Sequence, residues 1–173
     1  MEEKAKKYDI DGYDILTTAI RELVNQYPGL NDGDEITFSL LEENSGKAMF
    51  PLSGAAIEKE SEFITGEVEQ ICVYPFMVIY RASGLSENRK ASVKEWLDNL
   101  GRWLEKQVIA INGAEHKITE YPQLTDGRKF ITISRSSPAY LDSVEENNAE
   151  NWAISIICLL YTSDAADEED SVD

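Results

Sequence analysis

The apolar segment EVEQICVYPFMVIYRAS, which covers residues 67–83, constrains the fold more than any other part of the sequence. Val73 and the run from Phe76 to Tyr80 predict a strand buried on both faces, because a half-exposed strand would alternate apolar with polar residues. Pro75 interrupts the run, and proline cannot donate a hydrogen bond to a neighbouring strand. We therefore expect a long strand with a bulge or an unpaired stretch at Pro75.

An amphipathic helix precedes this strand in the segment YDILTTAIRELVNQYPG, residues 13–29. Its apolar residues recur three and four positions apart from Ile15 to Tyr27, which places them on one face of a helix. Asp11 or Asp14 can cap the start of the helix, and the Pro-Gly pair that closes the segment ends it.

A second amphipathic helix follows the strand in the segment ASVKEWLDNLGRWLEKQV, residues 91–108. Trp96 and Trp103 lie seven positions apart on its apolar face, which is the spacing of core residues. Ser92, with a glutamate three positions later, fits a capping box, and a start near Ser86 is the alternative.

Shorter strands are predicted around these elements. Residues 34–52 alternate apolar with polar positions and contain an Asn-Ser-Gly turn, which predicts a hairpin. Residues 55–65, 128–136 and 151–157 each predict one strand, and the polar residues 136–152 predict a long loop.

Helices and strands do not alternate strictly along the chain, which favours an α+β fold. We expect a mixed, mostly antiparallel sheet of about five strands, with the two amphipathic helices packed on one face. Residues 1–157 are predicted to form one domain. The sequence contains no run of 18 apolar residues and no apolar region behind its charged first residues, so we expect neither a membrane span nor a signal peptide, and an intracellular protein.

The charge of the chain bears on its partners. The net charge is −17, and the last sixteen residues contribute six carboxylates and no Lys or Arg, so residues 1–157 still carry −11. Tight binding to a phosphate backbone needs clustered basic residues, which release counterions from the nucleic acid. No such cluster occurs in the sequence, and we therefore predict no stable nucleic-acid binding.

The residue types that usually perform catalysis do not form a recognisable pattern. His116 is the single histidine and lies in a polar stretch, so we expect it at the surface. Ser136, Ser137 and Cys72 have no base near them in sequence. Cys72 and Cys158 are far apart and form no metal or redox motif, which predicts two buried thiols.

The acidic segment YDIDGYD contains Asp9, Asp11 and Asp14, and its spacing misses that of a calcium-binding loop, so capping of the helix is the preferred interpretation. No glycine-rich phosphate-binding motif occurs. We predict no enzymatic activity, no catalytic residue, no cofactor-binding residue and no metal ligand.

The succession of segments in residues 70–157 resembles a known family. YPFMVIYRAS, WLDNLGRWLEKQ, YPQLTDGRKFITISRSS and PAYLDSVEENNAENWAISI occur in that order, and together they resemble the minor capsid protein family of long-tailed bacteriophages and prophages. The resemblance implies a tail-terminator-like structural protein of the virion, assembled in the bacterial cytoplasm. Such proteins form a homo-oligomeric ring, a hexamer in tail terminators, which ends growth of the tail tube. Its implied partners are the major tail protein and a head-completion protein.

Other functions remain open from the sequence. Within assembly, a head-closure or connector protein is the alternative to a tail terminator. Outside assembly, the alternatives are a regulatory binding module and an enzyme that relies on carboxylates, and the latter lacks a convergent set of residues.

The last sixteen residues, CLLYTSDAADEEDSVD, resemble the conceptual translation of a transposase-type sequencing adapter. This resemblance implies that residues 158–173 are a scar on a metagenomic fragment and that the native last strand is interrupted near Ile157. We expect residues 158–162 to continue that strand because they are apolar or β-prone. Residues 163–173 are small and acidic, and we expect them to be disordered.

Overall fold

The computed structural model describes residues 13–52, 56–125 and 127–163. These residues form two helices and nine strands. In chain order they are α1 (Tyr13–Val24), β1 (Ile36–Phe38), β2 (Gly46–Pro51), β3 (Ala56–Glu62), β4 (Val68–Ala82), α2 (Glu87–Leu104), β5 (Ile109–Ile111), β6 (Ala114–His116), β7 (Lys129–Arg135), β8 (Tyr140–Val144) and β9 (Glu150–Ser163). The Asp9 and Asp11 of the acidic segment lie outside the described residues, so their capping role stays a prediction.

Seven of these strands form one sheet around the antiparallel pair β4 and β9. The outer edge of β4 pairs with β3 and then with β2, whereas the outer edge of β9 pairs with β8 and then with β7. β1 pairs with β2 in parallel, and every other pairing in this sheet is antiparallel. The predicted α+β fold with a mixed, mostly antiparallel sheet is confirmed, with seven strands where about five were expected. β5 and β6, which the sequence did not predict, form a separate hairpin.

Pro75 lies where β4 changes partners along one edge. β3 pairs with β4 as far as Val73, and β2 pairs with it from Phe76 onward. The carbonyl of Pro75 accepts a hydrogen bond from the backbone N–H of Leu52 at 3.0 Å, so the proline nitrogen faces the same edge. The missing N–H therefore falls in the gap between β3 and β2, where no ladder bond is lost, which confirms the predicted unpaired stretch.

Both helices pack against the same face of the sheet. Thr17 of α1 shares a hydrogen bond with the Tyr74 hydroxyl at 3.0 Å, and Trp96 of α2 contacts the Tyr80 ring edge-on at 5.2 Å between centroids. Tyr74 and Tyr80 belong to one alternating set of β4 side chains, so the two helices share a side. Buried apolar side chains between these layers include Leu16, Ile20, Met49, Phe76, Val78, Leu97, Leu100, Leu104, Ile133, Ile154 and Ile156.

The two tryptophans of α2 sit at different depths. Trp103 is 5% exposed, and its ring lies 5.6 Å from the ring of Tyr27. Trp96 is half-buried, and its Nε1 donates a hydrogen bond to the carbonyl of Gly29 at 2.8 Å. Trp103 is thus a core residue as predicted, whereas Trp96 lies at the border of the core and joins α2 to the turn after α1.

Helix α2 begins earlier than the predicted capping box. Ser86 is the N-cap, and its Oγ accepts a hydrogen bond from the backbone N–H of Arg89 at 3.3 Å. Ser92 lies inside the helix, and its hydroxyl donates to the carbonyl of Asn88 at 3.1 Å. The alternative start near Ser86 is therefore correct, and the capping box at Ser92 is wrong. Neither α1 nor α2 combines the length and the apolar character needed to cross a membrane.

The predicted hairpin in residues 34–52 is wrong. Ile36 pairs with Lys47 and Phe38 with Met49, so β1 and β2 run parallel. Ser39 adopts a left-handed backbone with φ of +54°, which ends β1 and directs the chain out of the sheet. The connecting residues then return to the starting end of β1 before β2 begins.

The predicted loop over residues 136–152 is also wrong. Its middle forms β8, which pairs with the start of β9. All five residues of β8 are exposed, because the strand lies at the edge of the sheet. The five residues of β8 lie within a longer polar stretch, and an exposed edge strand gives no clear burial pattern in the sequence, which explains the error.

Helix α2 approaches β7 and β9 closely at Gly101. A Cβ atom added there would lie 2.2 Å from Cδ of Arg135 and 2.9 Å from Cδ1 of Ile154. Arg135 cannot easily move away, because its guanidinium makes two hydrogen bonds of 3.0 Å to Glu105 and its backbone N–H makes a third of 2.9 Å. Burial opposes ionisation of Glu105, but these hydrogen bonds hold the pKa of its carboxyl below the ordinary value.

We predict that Gly101→Ala destabilises the fold. The new methyl group must displace Arg135 or Ile154, which lowers the free energy of unfolding by about 1–3 kcal/mol. This loss exceeds the helix preference of alanine, which favours the change by about 1 kcal/mol. Urea unfolding measures the difference, with Ser92→Ala on the exposed face of α2 as the matched control. Stability equal to that of the unchanged chain would contradict the close approach.

The second half of β9 completes both the sheet and the core. Cys158 lies between Tyr74 on β4 and Ile133 on β7, Leu160 lies opposite Cys72, and both Cys158 and Leu160 are fully buried. Burial raises the pKa of the Cys158 thiol, which therefore stays protonated. The predictions of buried thiols and of a continued strand are confirmed.

The strand continues one residue beyond the predicted extension. Ser163, which was expected to be disordered, is the last residue of β9. Residues 164–173 lie outside the described residues, and their predicted disorder stays a prediction.

We predict that the two possible ends of β9 differ sharply in stability. A chain that stops after Ile157 loses two fully buried side chains and half of the central strand, and should lose at least about 3 kcal/mol of unfolding free energy. A chain that stops after Ser163 keeps all of β9 and serves as the control. Thermal unfolding followed by circular dichroism compares them, and equal midpoints would show that residues 158–163 contribute nothing to the fold.

Candidate assembly surface

The side chains considered for chemistry lie on separate elements. His116 ends β6 and is half-buried, Cys72 lies on β4 with 1% of its surface exposed, and Ser136 directly follows β7. The Ser136 hydroxyl donates to the carbonyl of Ser155 at 3.2 Å, so it is engaged with the backbone. Within residues 13–52, 56–125 and 127–163, no three His, Cys, Asp or Glu side chains converge to hold a metal ion.

The carboxylates with shifted pKa values have structural partners. Asp98 is 8% exposed, and it accepts hydrogen bonds from Lys94 and from the backbone N–H of Ala139, each at 2.8 Å. Burial raises the pKa of Asp98, but these two donors outweigh it and hold the pKa below the ordinary value. Asp98 thus anchors α2 to the segment before β8, as Glu105 anchors it to β7.

The sheet face opposite the helices, here called the open face, is the most unusual surface among the described residues. β4 presents Ile71, Val73, Pro75, Met77 and Ile79 there, with no charge between them, and all five are half-buried. Neighbouring strands place further apolar side chains in register with these five, namely Ala48 and Phe50 on β2, Tyr140 on β8, and Ala153, Ile157, Leu159 and Tyr161 on β9.

Neither described helix packs on the open face, although Ala48 and Ala153, which belong to it, are fully buried. The helices contact the alternate residues of β4 and β9, and the segments around Ile109, Ile118 and Leu124 join the core on that same helical side. An antiparallel sheet with one solvated face normally carries polar residues on that face. Its apolar residues on β4 and β9 therefore make the open face a candidate contact surface.

The size of the open face fits a protein contact. Four strand positions about 4.8 Å apart and five alternating residues about 6.8 Å apart give an area on the order of 500 Å². The largest apolar patch on a typical monomer reaches about 300–600 Å², and one side of a standard interface buries about 800 Å². The open face therefore supplies part of one standard contact, and Ser155, Ser134 and Thr132 lower the apolar share of its area.

Polar networks border the open face at both ends of the sheet. At one end, Arg81 donates to Asn151 at 2.7 Å and to Glu145 at 2.8 Å. At the other end, the Tyr161 hydroxyl donates to Glu69 at 2.6 Å. An apolar centre with a polar rim is the usual anatomy of a protein interface.

The sequence indicated the apolar character of β4 but not this surface. Continuous apolar composition predicted burial on both faces of β4, and the structure places helices on only one of them. A signal for the second surface was present, because β4 is apolar on both faces while only two helices are available to cover it. Sequence alone does not show which face each helix covers.

Several basic side chains on the described surface are paired with acids. Ion pairs join Arg21 to Glu35, Lys47 to Asp34, Arg81 to Glu145, Lys90 to Glu150, Lys94 to Asp98 and Arg135 to Glu105, at distances between 2.8 and 3.3 Å. Each pair neutralises a cation that would otherwise be available to a phosphate group.

We predict that duplex DNA does not bind this chain at physiological salt. Its net charge of −17 repels phosphate, and paired cations release few counterions. Fluorescence anisotropy with a labelled duplex, titrated with protein at low and at physiological salt, measures the affinity. A micromolar complex that weakens as salt rises would contradict this prediction.

A comparison of the chain with models of known protein families finds no match, and a comparison with curated protein sequences finds none either.

Proposed function

We propose that this chain is a structural protein of the head–tail junction of a phage or prophage. In this role it is a tail-terminator subunit, whose ring ends growth of the tail tube and joins the tail to the head. Two observations support the proposal: the resemblance of residues 70–157 to the minor capsid protein family, and the uncovered apolar sheet face. The apolar sheet face is the observation that supports self-assembly of the chain.

A second copy of the chain is the occupant that we propose for the open face. Its area of about 500 Å² needs only a modest additional contact to reach the size of a stable interface. A contact between different surfaces of two copies generates a ring when the rotation between them closes. The major tail protein and a head-completion protein are the further partners, above and below such a ring.

The charge of the chain suits this role. DNA passes through the head–tail junction, and a ring of acidic subunits repels phosphate, so the DNA does not adhere. The same acidity opposes self-association by like-charge repulsion, which makes an apolar contact surface necessary for the ring.

The test compares the full chain with the double variant Val73→Lys and Met77→Lys, which places two charges in the centre of the open face. The unchanged chain should form a closed oligomer in light scattering and ring-shaped particles in electron microscopy, alone or with tail tubes of the major tail protein. The double variant should remain monomeric, because burying two unpaired ammonium groups is strongly unfavourable.

Thr119→Lys, at an exposed position away from the sheet, adds charge of the same sign and is the control. A full chain that stays monomeric at high concentration and also ignores tail tubes would refute the proposal. Assembly of the double variant would show that the open face is not the contact.

The resemblance of residues 158–173 to a translated adapter remains a separate proposal. Reading the DNA of an independent clone tests it. A different continuation after Ile157 would support the adapter origin, and the same sixteen residues in an independent clone of this gene would contradict it. In either case, positions 158 and 160 require side chains that fit the core beside Tyr74 and Cys72.

A further inference from the structure

We infer that three side chains close the two ends of the main sheet against a strand from another molecule. Asn25 closes the outer edge of β1, and Glu105 and Tyr121 close the outer edge of β7. By blocking these edges, the three residues restrict association of the subunit to its other surfaces. The inference applies to the free subunit and does not depend on the proposed ring.

The ends of a sheet are reactive towards other chains. In the described residues, the path of paired strands ends in β1 on one side and in β7 on the other. The outer edge of such a strand presents backbone N–H and C=O groups, which pair with a strand of any second chain. This pairing needs no particular side chains, so it competes with every specific contact that the protein makes.

The carboxamide of Asn25 takes the place of a neighbouring strand beside β1. Ser39 donates its N–H to the carbonyl of Met49 on β2 at 2.9 Å, so the backbone groups of Ile36, three positions earlier, point away from β2. The N–H of Ile36 donates to Oδ1 of Asn25 at 2.7 Å, and the carbonyl of Ile36 accepts from Nδ2 at 3.0 Å. One side chain therefore occupies both outward groups of Ile36, as a paired strand would.

The end of α1 holds Asn25 in this orientation. Asn25 is the first residue after the helix, and its Nδ2 also donates to the carbonyl of Arg21 at 2.8 Å. Exchanging the oxygen and the nitrogen of the carboxamide would break all three hydrogen bonds of the side chain. The carboxamide is thus fixed with its two kinds of atom facing the matching groups of β1.

The outward N–H groups of β7 point to the segment that follows α2. Ser136 donates its N–H inward to β9, at 2.9 Å from the carbonyl of Ser155. The N–H groups of Arg135 and Ile133 lie one and three positions earlier, and they therefore point outward. The N–H of Arg135 donates to Oε2 of Glu105 at 2.9 Å.

The hydroxyl of Tyr121 lies at the other outward N–H of β7. Burial raises the pKa of this hydroxyl, and a hydrogen bond from the Ile133 backbone opposes that shift. The hydroxyl donates its own proton to the carbonyl of Leu104 at 2.6 Å, so its oxygen accepts from Ile133. The Tyr121 ring contacts the ring of Phe130 at 5.9 Å between centroids, which holds it against β7.

Hydrogen bonding alone does not require these side chains. Water satisfies the outward N–H and C=O groups of an exposed strand edge equally well. A side chain differs from water because it occupies the position that the backbone of an added strand would take. Glu105 is also fixed there by two hydrogen bonds of 3.0 Å to the guanidinium of Arg135, and its side chain is only 17% exposed.

The other two edge strands of the described sheet are protected differently. Four of the seven residues of β3 are charged, and its register shifts between Ile57 and Lys59. β8 has only five residues, and its register shifts between Leu141 and Ser143. Charged residues, bulges and short length are the usual features that prevent strand addition. β1 and β7 are the edges at which this protection depends on particular side chains.

The first experiment measures hydrogen exchange of single backbone amides by NMR in full-length variants. Tyr121→Phe removes only the hydroxyl, so the amide of Ile133 should exchange at least about tenfold faster while the amide of Arg135 is unchanged. Glu105→Ala should have the converse effect. Glu105→Gln retains an acceptor oxygen and should keep the Arg135 amide protected.

The second experiment measures association through the opened edge. Tyr121→Phe and Glu105→Ala are combined in a chain that also carries Val73→Lys and Met77→Lys, which block the open face. This protein should form large species that bind thioflavin T and grow with concentration in analytical ultracentrifugation. The same chain without the two edge changes should stay small.

Ile20→Val in the same chain is the control for lost stability, because it truncates a buried side chain that makes no hydrogen bond to either edge. Asn25→Ala tests the edge of β1 in the same way. Asn25→Asp retains the acceptor for the N–H of Ile36 and should cause less association than Asn25→Ala.

The outcomes decide whether the three side chains exclude other strands or merely complete hydrogen bonds. Faster exchange without new association would overturn the inference, and so would exchange that stays unchanged. Equal association of the Ile20→Val control would assign the effect to lost stability and would also overturn it. If the combined variant does not fold, Tyr121→Phe alone provides both measurements, since it removes a single oxygen. None of these results bears on the proposed ring, which is tested on the unchanged chain.

Discussion

The main sheet is built around the antiparallel pairing of β4 with β9. The two strands pair continuously from Glu69 to Ala82 on β4, and every other strand of the main sheet joins one of their outer edges, directly or through β2. β4 precedes α2, and β9 ends the described chain. The pairing of these two strands therefore joins residues about 70–90 positions apart in the sequence. Bringing such distant residues together lowers the conformational entropy of the chain. The free energy gained by burying apolar side chains under the helices must offset this loss.

That burial is one-sided, and the asymmetry leads to the proposed function. Helices α1 and α2 cover one set of alternating side chains, with Gly101 allowing α2 to approach β7 and β9 closely. The other set is equally apolar on β4 and remains uncovered by the described residues. An apolar sheet face of this kind is a candidate contact surface for another protein, as the proposed function requires. The proposed assembly role therefore depends on the arrangement of the sheet and needs no catalytic residue.

The proposed contact depends on two opposing effects. The open face provides area and therefore affinity, because burial of apolar surface is roughly proportional to free energy. Repulsion between subunits of charge −17 opposes arrangements that do not bury this face.

The sequence by itself determined the elements whose signals are local. Helical periodicity located α1 and α2, apolar composition located β4 and β9, and the missing N–H of Pro75 predicted a gap in the ladder. Tertiary structure decided what local signals do not contain: the parallel pairing of β1 with β2, the strand character of β8, and the burial of Leu160. The candidate surface belongs to this second group, because an apolar residue such as Val73 has the same sequence signature whether a helix or a second subunit covers it. Only the positions of the two helices, set by packing between distant residues, left that face of β4 open.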